Sequence, residues 1–522
     1  MHLTKHYSVV LVMLLCMASI GVSAQIDASK GATPYVHFAP SALHLDSLTF
    51  RTRMVLQHWD ESKSKRYVLT EGNRAEETHF VVDGGIRGEK LASIGYASYQ
   101  RGMRAGAKWI NALTLAQGNP YQVADTSTGR FNTESYAFGG MLSYRLRPKL
   151  LVGANFGYNA GTAFKTADPR PKNTFFDLQV GLSAHYNDEK WLMGAAFSLG
   201  NSAEDLDIRV FTPSKKVLLL RPLGLHRFDY QWTEEETYQQ TKYVGTTTLL
   251  ESTLQRKFKA STLSFDMQLR GIKQEQQKSS LLTPYIYKLT EATYRVSLES
   301  QKGLSYQLFQ VFAATFNGKG TENTFTKVLA NPTTTEYNWI KTASSQKYSY
   351  ATASYGARYI YQKGRATTKN YSKIELVASE QSYKQTYAIP REKASYSITS
   401  VNASIDYQLK WRRLYLIPHA GVAARFSHSS TISLTPIDAA GENAASDDPK
   451  TIQLRPIAEQ FRDAYINNYE VQSANTYSGE LGATVATQYG RSRIEIFPKA
   501  RLVHLPNLGN YKLYSITLTV FI

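Results

Sequence analysis

Period-two alternation of apolar and polar residues runs through most of this 522-residue chain. Over 262–270, Leu263, Phe265, Met267 and Leu269 alternate with Ser264, Asp266, Gln268 and Arg270. Over 174–186, Phe176, Leu178, Val180, Leu182 and Ala184 alternate with Asp177, Gln179, Gly181, Ser183 and His185. The same holds over 291–299, and over 493–503, where Ile494, Ile496, Ala500 and Leu502 face away from Arg493, Glu495, Lys499 and Arg501. The last segment, YKLYSITLTVFI, puts Tyr514, Ile516, Leu518, Val520 and Ile522 on one side and Leu513, Ser515, Thr517, Thr519 and Phe521 on the other. Successive side chains of a strand point to opposite faces, whereas a helix repeats every 3.6 residues, so these segments are two-faced strands.

The connections sort into two kinds. Tight turns are expected at Arg101–Gly106, Arg147–Lys149, Asn187–Lys190, Lys257–Ala260, Gln301–Gly303, Gln362–Arg365, Lys410–Arg413 and Gly490–Ser492. Longer polar connections fall near 117–133, 161–173, 200–245, 272–284, 318–345, 380–394 and 428–474. Short and long in turn is the asymmetry of outer-membrane barrels, with short periplasmic turns and long extracellular loops. The pattern therefore predicts an all-β fold, a transmembrane antiparallel up-and-down β-barrel of about 18 strands (range 14–18). Its first strand is expected near 79–87, so 79–522 is the barrel and 25–78 an N-terminal periplasmic or lumen-plugging segment. The 200–245 stretch has room for a further hairpin, and a helix-like piece near 456–467 is placed outside the membrane. A soluble sandwich or propeller would bury one face of every strand on another sheet, and no repeat of fixed period supports it.

Composition changes this picture little. Beyond the first residues there is no run of 18 apolar residues, and mean hydropathy is −0.35; a membrane barrel hides its hydrophobicity in every second residue. Residues 1–24 have Lys5 as a short basic region, an apolar run from Val9 to Ile20 and small residues at Val22 and Ala24, which predicts a cleaved signal peptide. The single cysteine, Cys16, lies inside it, so the exported chain is expected to stand without disulfides. Localisation follows as the outer membrane of a Gram-negative bacterium.

Removing Lys5 lowers the formal charge from +18 by one. Nucleic acid is excluded as a partner by export. Basic rim residues suit lipopolysaccharide phosphates, while Arg270, Glu291, Arg295, Arg358, Arg425, Arg493, Glu495, Lys499 and Arg501 are candidate lumen-lining charges. Lumen charges of one sign favour counter-ions, whereas pairs with Glu299, Asp177 or Asp266 would only pack the interior. His419 and the Ser-His-Ser-Ser run at 427–430 are the loosely suggestive catalytic groups, and neither has an assignable acid, so no catalytic residue is expected. His37, His44 and His58 lack metal-ligand spacing, and no cofactor is expected. Asp168-Pro169-Arg170-Pro171 is a stiff loop carrying Arg170 and Lys172.

The segments GEKLASIGYASYQRG with Trp109, NPYQVAD (119–125), ESYAFGGMLSY (134–144) and DPRPKN (168–173) resemble an uncharacterised family of Gram-negative outer-membrane β-barrel proteins. The resemblance implies a barrel and an accessory place beside a nutrient-uptake receptor. Residues 25–78 are too short for the globular plug of a TonB-coupled receptor. Three functional readings stay open: a porin-like or accessory barrel in solute uptake, a closed barrel that binds or assembles through its extracellular loops, and an outer-leaflet lipid-modifying enzyme. The assembly machinery is an expected partner, and Tyr514, Ile516, Leu518, Val520, Phe521 and Ile522 are the candidate insertion signal.

Overall fold

The computed structural model describes residues 40–44, 52–211, 217–233, 239–278, 282–331, 336–364, 371–411, 414–437, 449–489 and 492–521. A short 3-10 helix, Pro40–His44, precedes β1 (Arg53–Lys63), β2 (Arg74–Arg87), β3 (Leu91–Ala107), β4 (Ala124–Asp125), β5 (Gly129–Arg147), β6 (Leu150–Lys165), β7 (Arg170–Asn187) and β8 (Trp191–Arg209). Then come β9 (Val217–Gly224), β10 (Arg227–Thr233), β11 (Gln239–Lys257), β12 (Ser261–Lys278), β13 (Leu282–Lys302), β14 (Ser305–Asn331), β15 (Glu336–Lys363), β16 (Ser372–Tyr387), β17 (Glu392–Tyr407) and β18 (Leu409–Trp411). The chain finishes with β19 (Leu414–Ser433), helix α1 (Pro449–Ser473), β20 (Thr476–Tyr489), β21 (Ser492–Leu505) and β22 (Gly509–Phe521).

Each wall strand pairs antiparallel with its neighbours, and β22 returns to β1 from Arg53↔Phe521 to Lys63↔Tyr511. With β18 as a three-residue continuation of β17 beside β19, the wall has 18 strands. Closure satisfies every edge, the condition for a sheet to survive in lipid. The alternation read from the sequence becomes inside and outside: Leu263, Phe265, Val296, Leu298, Val401, Leu481, Leu502 and Ile516 are exposed on the exterior. An exterior of aliphatic and aromatic side chains would be untenable in water at this extent, and it defines a transmembrane barrel of the outer membrane. The short turns at 148–149, 188–190, 258–260 and 303–304 fall on the side of the termini, where they are expected.

Several elements depart from the expectation. The wall begins at Arg53, so residues 53–63 and 74–78, read as part of a plug or periplasmic segment, are strand. The outward row of β1 is Met54, Leu56, His58 and Asp60, in line with Val520, Leu518, Ile516 and Tyr514; its polar half breaks the alternation that marks other strands. Arg101–Gly106 is not a turn but the outer end of β3. The expected loops at 161–173, 272–284, 318–345 and 380–394 are mainly strand, because the β6–β7, β12–β13, β14–β15 and β16–β17 hairpins continue past the membrane with polar residues on both faces. The β14–β15 hairpin projects furthest: from Asn323 outward β14 pairs only with β15. A hairpin does lie within 200–245, but β9 pairs with β10 on one side and β4 on the other, outside the wall.

Candidate functional site

Stretches of three long connections on the extracellular side turn inward and fill the mouth of the barrel: 108–128, 217–233 and 449–473. The first is fastened to the wall residue by residue. The carboxylate of Glu204 on β8, fully buried, accepts from Leu113 N at 2.9 Å, Thr114 N at 2.8 Å, Thr114 Oγ1 at 2.6 Å and Asn173 Nδ2 at 2.5 Å. Gln274 on β12 accepts from Ala116 N and Asn119 Nδ2 at 2.9 and 2.8 Å and donates to Thr114 O at 3.1 Å. Tyr287 donates to Gln117 O at 2.8 Å, and Tyr243 accepts from Val123 N at 3.0 Å. A Cβ at Gly118, where φ is +73°, would lie 2.4 Å from the Tyr350 ring, so only glycine fits there. A loop inside a lumen is stable only if its backbone groups find such partners. Its far end carries Asp125, which meets Lys165 Nζ at 2.6 Å with both side chains 1% exposed.

The second connection brings the β9–β10 hairpin onto the first. The run Leu218, Leu219, Leu220 is buried, with Leu220 opposite Ala124 and Leu219 opposite Asp125. Its tip reaches the far wall, where Arg227 Nε donates to Glu392 at 3.0 Å. The third connection supplies α1. Phe461 sits edge-on to Trp109 at 5.2 Å and to Phe228 at 5.4 Å, joining all three connections in one apolar cluster. Tyr465 and Tyr469 donate to Gln385 Oε1 at 2.8 Å and Ser395 O at 2.7 Å on the wall.

The wall answers with inward tyrosines. Tyr285, Tyr287, Tyr348, Tyr350, Tyr387 and Tyr396 form one buried cluster with Tyr121, Leu225 and Tyr469 from the connections. Tyr121 stacks on Tyr285 at 4.8 Å, and Tyr383 on Tyr396 at 4.5 Å. Such rings bury large apolar area while keeping a hydrogen-bonding end, which suits a packed interface inside a polar lumen. Burial raises the Tyr121 and Tyr465 hydroxyls well above the ordinary phenol range, so they stay neutral. Tyr285 also points inward, into this cluster.

The expected lumen charges are largely paired. Arg270 lies 3.6 Å from Glu291, Arg358 2.7 Å from Glu375, Arg493 2.6 Å from Glu495, and Lys499 2.6 Å from Glu480. Arg295 is directly opposite Asp266 in the β12–β13 ladder. Arg501 donates to Ser478 Oγ at 3.4 Å, and Arg425 to Gln472 O, near the end of α1, at 3.2 Å. His419, for which no acid could be assigned from sequence, has two: Asp406 at 2.6 Å on Nδ1 and Glu480 at 2.8 Å on Nε2. The strand pairing puts Asp406, His419, Gly482 and Lys499 in one row, and Glu480, two residues along β20 on the same face, reaches both His419 and Lys499, a juxtaposition no spacing along the chain signals. With both ring nitrogens occupied, His419 has none free for a substrate. His428 is bonded to Thr399 at 2.5 Å instead. Arg170 turns back on Asp168 at 3.0 Å within its own loop. Of the insertion-signal residues, Tyr514 and Ile516 are exposed on the exterior beside Leu518 and Val520, Phe521 faces the lumen side, and Ile522 lies outside the described residues.

At the opposite end of the lumen the 3-10 helix Pro40–His44 is docked on β5, β6 and β7, all five residues buried. Ser41 donates its N–H to Ser183 Oγ at 2.9 Å and shares a hydrogen bond with His185 Nδ1 at 2.6 Å. His44 Nδ1 meets Ser143 Oγ at 2.9 Å, and Arg87 reaches His44 O at 2.5 Å. A Cβ at Gly153 would come within 2.3 Å of Ser41 N, so the wall is shaped for this segment.

A closed 18-stranded barrel with an apolar exterior and a loop-filled mouth is the class defined here. The chain belongs to a family of unknown function (DUF6850), whose model matches residues 40–522. A comparison with curated proteins finds no match. Among solved structures, similar ones include BauA, the ferric preacinetobactin receptor from Acinetobacter baumannii, at 8% identity over 90% of this chain and 80% of that chain, TM-score 0.38. The outer membrane transporter YddB from Escherichia coli is similar at 6% identity over 91% of this chain and 81% of that one, TM-score 0.40. The copper transporter OprC is similar at 8% identity over 91% and 65%, TM-score 0.43. The barrel rests on its own strand ladder, independent of these likenesses.

Proposed function

We propose that this protein is a loop-gated barrel in solute uptake, closed at the extracellular mouth in the state described, rather than a permanently open porin. One observation carries the reading: the stretches 108–128, 217–233 and 449–473 meet in a single apolar cluster inside the mouth and touch the wall on both sides. An 18-stranded wall encloses an aqueous channel unless something fills it, and here the extracellular loops do. The paired charges beneath them pack the lumen more than they select an ion. An accessory place beside an uptake receptor, and contacts with lipopolysaccharide and the assembly machinery, belong to the same reading.

Planar-bilayer recording tests it. The full chain is expected to be nearly silent, and a variant lacking 217–233 together with 449–473 to give large, steady conductance. Steady open conductance from the full chain equal to that of the deletion variant would overturn the gate.

A binding role has one observation in its favour. The projecting β14–β15 ribbon exposes Val328 with Ile340 on one face and Leu329 with Trp339 on the other. Large apolar side chains exposed on a segment outside the membrane are candidate contact points. Co-purification of a partner that is lost when 324–345 is trimmed, with conductance silent in both full and loop-deleted chains, would favour this alternative over uptake.

A further inference from the structure

Where the β1–β2 connection, the 108–128 connection and α1 meet, the outer face holds a pocket of about 320 Å³, within the size range of small-ligand sites. Lys65, Arg66, Lys108, Trp109, Gln460 and Asp463 line it. Its charges are unequally satisfied. Arg66 is committed to Glu470 at 2.5 Å and to Asn467 Oδ1 at 2.9 Å, a pair that fixes the rim. Lys65 and Lys108 form no ion pair among the described residues. Lys108 is half-buried, its ammonium 4.5 Å over the Trp109 ring, and burial lowers its pKa. The carboxylate that acts on it through space, Asp125, is already held by Lys165 at 2.6 Å. A partly desolvated cation without its own counter-ion is a place where an added anion gains most.

The backbone supplies a second, independent observation. Among the described residues four non-glycine residues have positive φ, and two of them, Lys65 at 60° and Trp109 at 66°, line this one pocket. Strained backbone of this kind persists where surrounding structure holds it and clusters at ligand sites. Gln460 and Asp463, three residues apart on α1, present an amide and a carboxylate from one helix face. These groups suit hydroxyls, as the two lysines suit an acid.

We propose that the pocket binds an acidic sugar, its carboxylate or phosphate held by Lys65 and Lys108 and its hydroxyls by Gln460 and Asp463. The inference deepens the uptake reading and rests on it only for its consequence, that a bound solute bridges the elements that close the mouth. Binding is measured without transport, so failure of the site and failure of the gate are distinguishable.

Titration calorimetry on the full chain in detergent, with glucuronate, glucose 1-phosphate and neutral glucose as probes, tests the site. Saturable binding of at least one acidic sugar and none of glucose is expected. Lys65→Gln with Lys108→Gln should weaken it by about tenfold or more, while Lys108→Arg should restore most of the affinity. Lys65→Gln alone, at an exposed position, gives the same direction where the double variant fails to fold. No saturable binding of either acid, equal binding of glucose, or unchanged affinity in the charge-removed variants would overturn the proposal. Vesicles of lipopolysaccharide separate the two sources of acidic sugar. Saturation by the vesicles and by neither free acid would assign the site to the lipid and overturn the solute.

Discussion

Two buried charges hold the first mouth connection, and they act by different means. Glu204 is surrounded by donors, so its charge is spread over four hydrogen bonds. Asp125 accepts from Ser127 on one oxygen and meets a single cation, Lys165, on the other, and both charges are shut away from water. Removing one member of such a pair leaves an uncompensated buried charge, which costs roughly 3–5 kcal/mol, whereas removing both costs much less. Lys165→Met should therefore loosen 108–128 strongly, and Asp125→Asn with Lys165→Met should recover much of the loss. Protease cleavage within 108–128 in detergent reads both, and a double variant as open as the single one would contradict the account. His44 makes the companion case in pH. Burial first, then the charges of Arg145 and Arg87, lower its pKa from 6.5. The undocked segment therefore takes up a proton at higher pH than the docked one, so docking is strongest above about pH 6.5 and weakens as pH falls below it. Hydrogen exchange at 40–44 should rise between about pH 7 and pH 5, and His44→Gln should flatten that rise.

At the scale of elements, the same logic sorts what was legible. β12 and β13 could be read because their outward residues are apolar without a break over 263–269 and 292–298. β1 could not, because His58 and Asp60 occupy outward places that other strands give to apolar side chains. β9 contains Val217, Leu218, Leu219 and Leu220 without alternation, the pattern of a segment buried on both faces; nothing local says that it belongs inside the mouth. The 3-10 helix is short and unpatterned, and its place is set by the glycine opposite it. Gly153→Leu should displace Pro40–His44 while leaving the wall intact, since the added side chain overlaps Ser41. Faster exchange at 40–44 with an unchanged heat-resistant gel mobility is the expected result; protection equal to the parent chain would count against the docking. The charge pairs show the same divide. That Arg270 and Glu291 are inward follows from alternation, but the contact of His419 with Glu480 depends on which strands are neighbours and on their register.

For the whole molecule the seam between β22 and β1 matters most. Its ladder runs from Arg53↔Phe521 to Lys63↔Tyr511, and without it both edges would lie open in lipid. Deleting Phe521 and Ile522 removes the start of that ladder and part of the candidate insertion signal. Membrane-inserted protein should fall severalfold on fractionation, and normal insertion of the truncated chain would contradict the assignment. What the sequence by itself determined is the wall: alternation is a local property, and each strand announces its lipid face without reference to any other. It also determined the approximate strand number and the side on which the short turns lie. Only the tertiary structure decided how the mouth is closed. Trp109, Leu220 and Phe461 come from three distant connections, and their meeting depends on the barrel bringing those connections to one rim. Alternation cannot encode that, because the groups that fill the lumen are matched to each other in space and not to their neighbours in the chain.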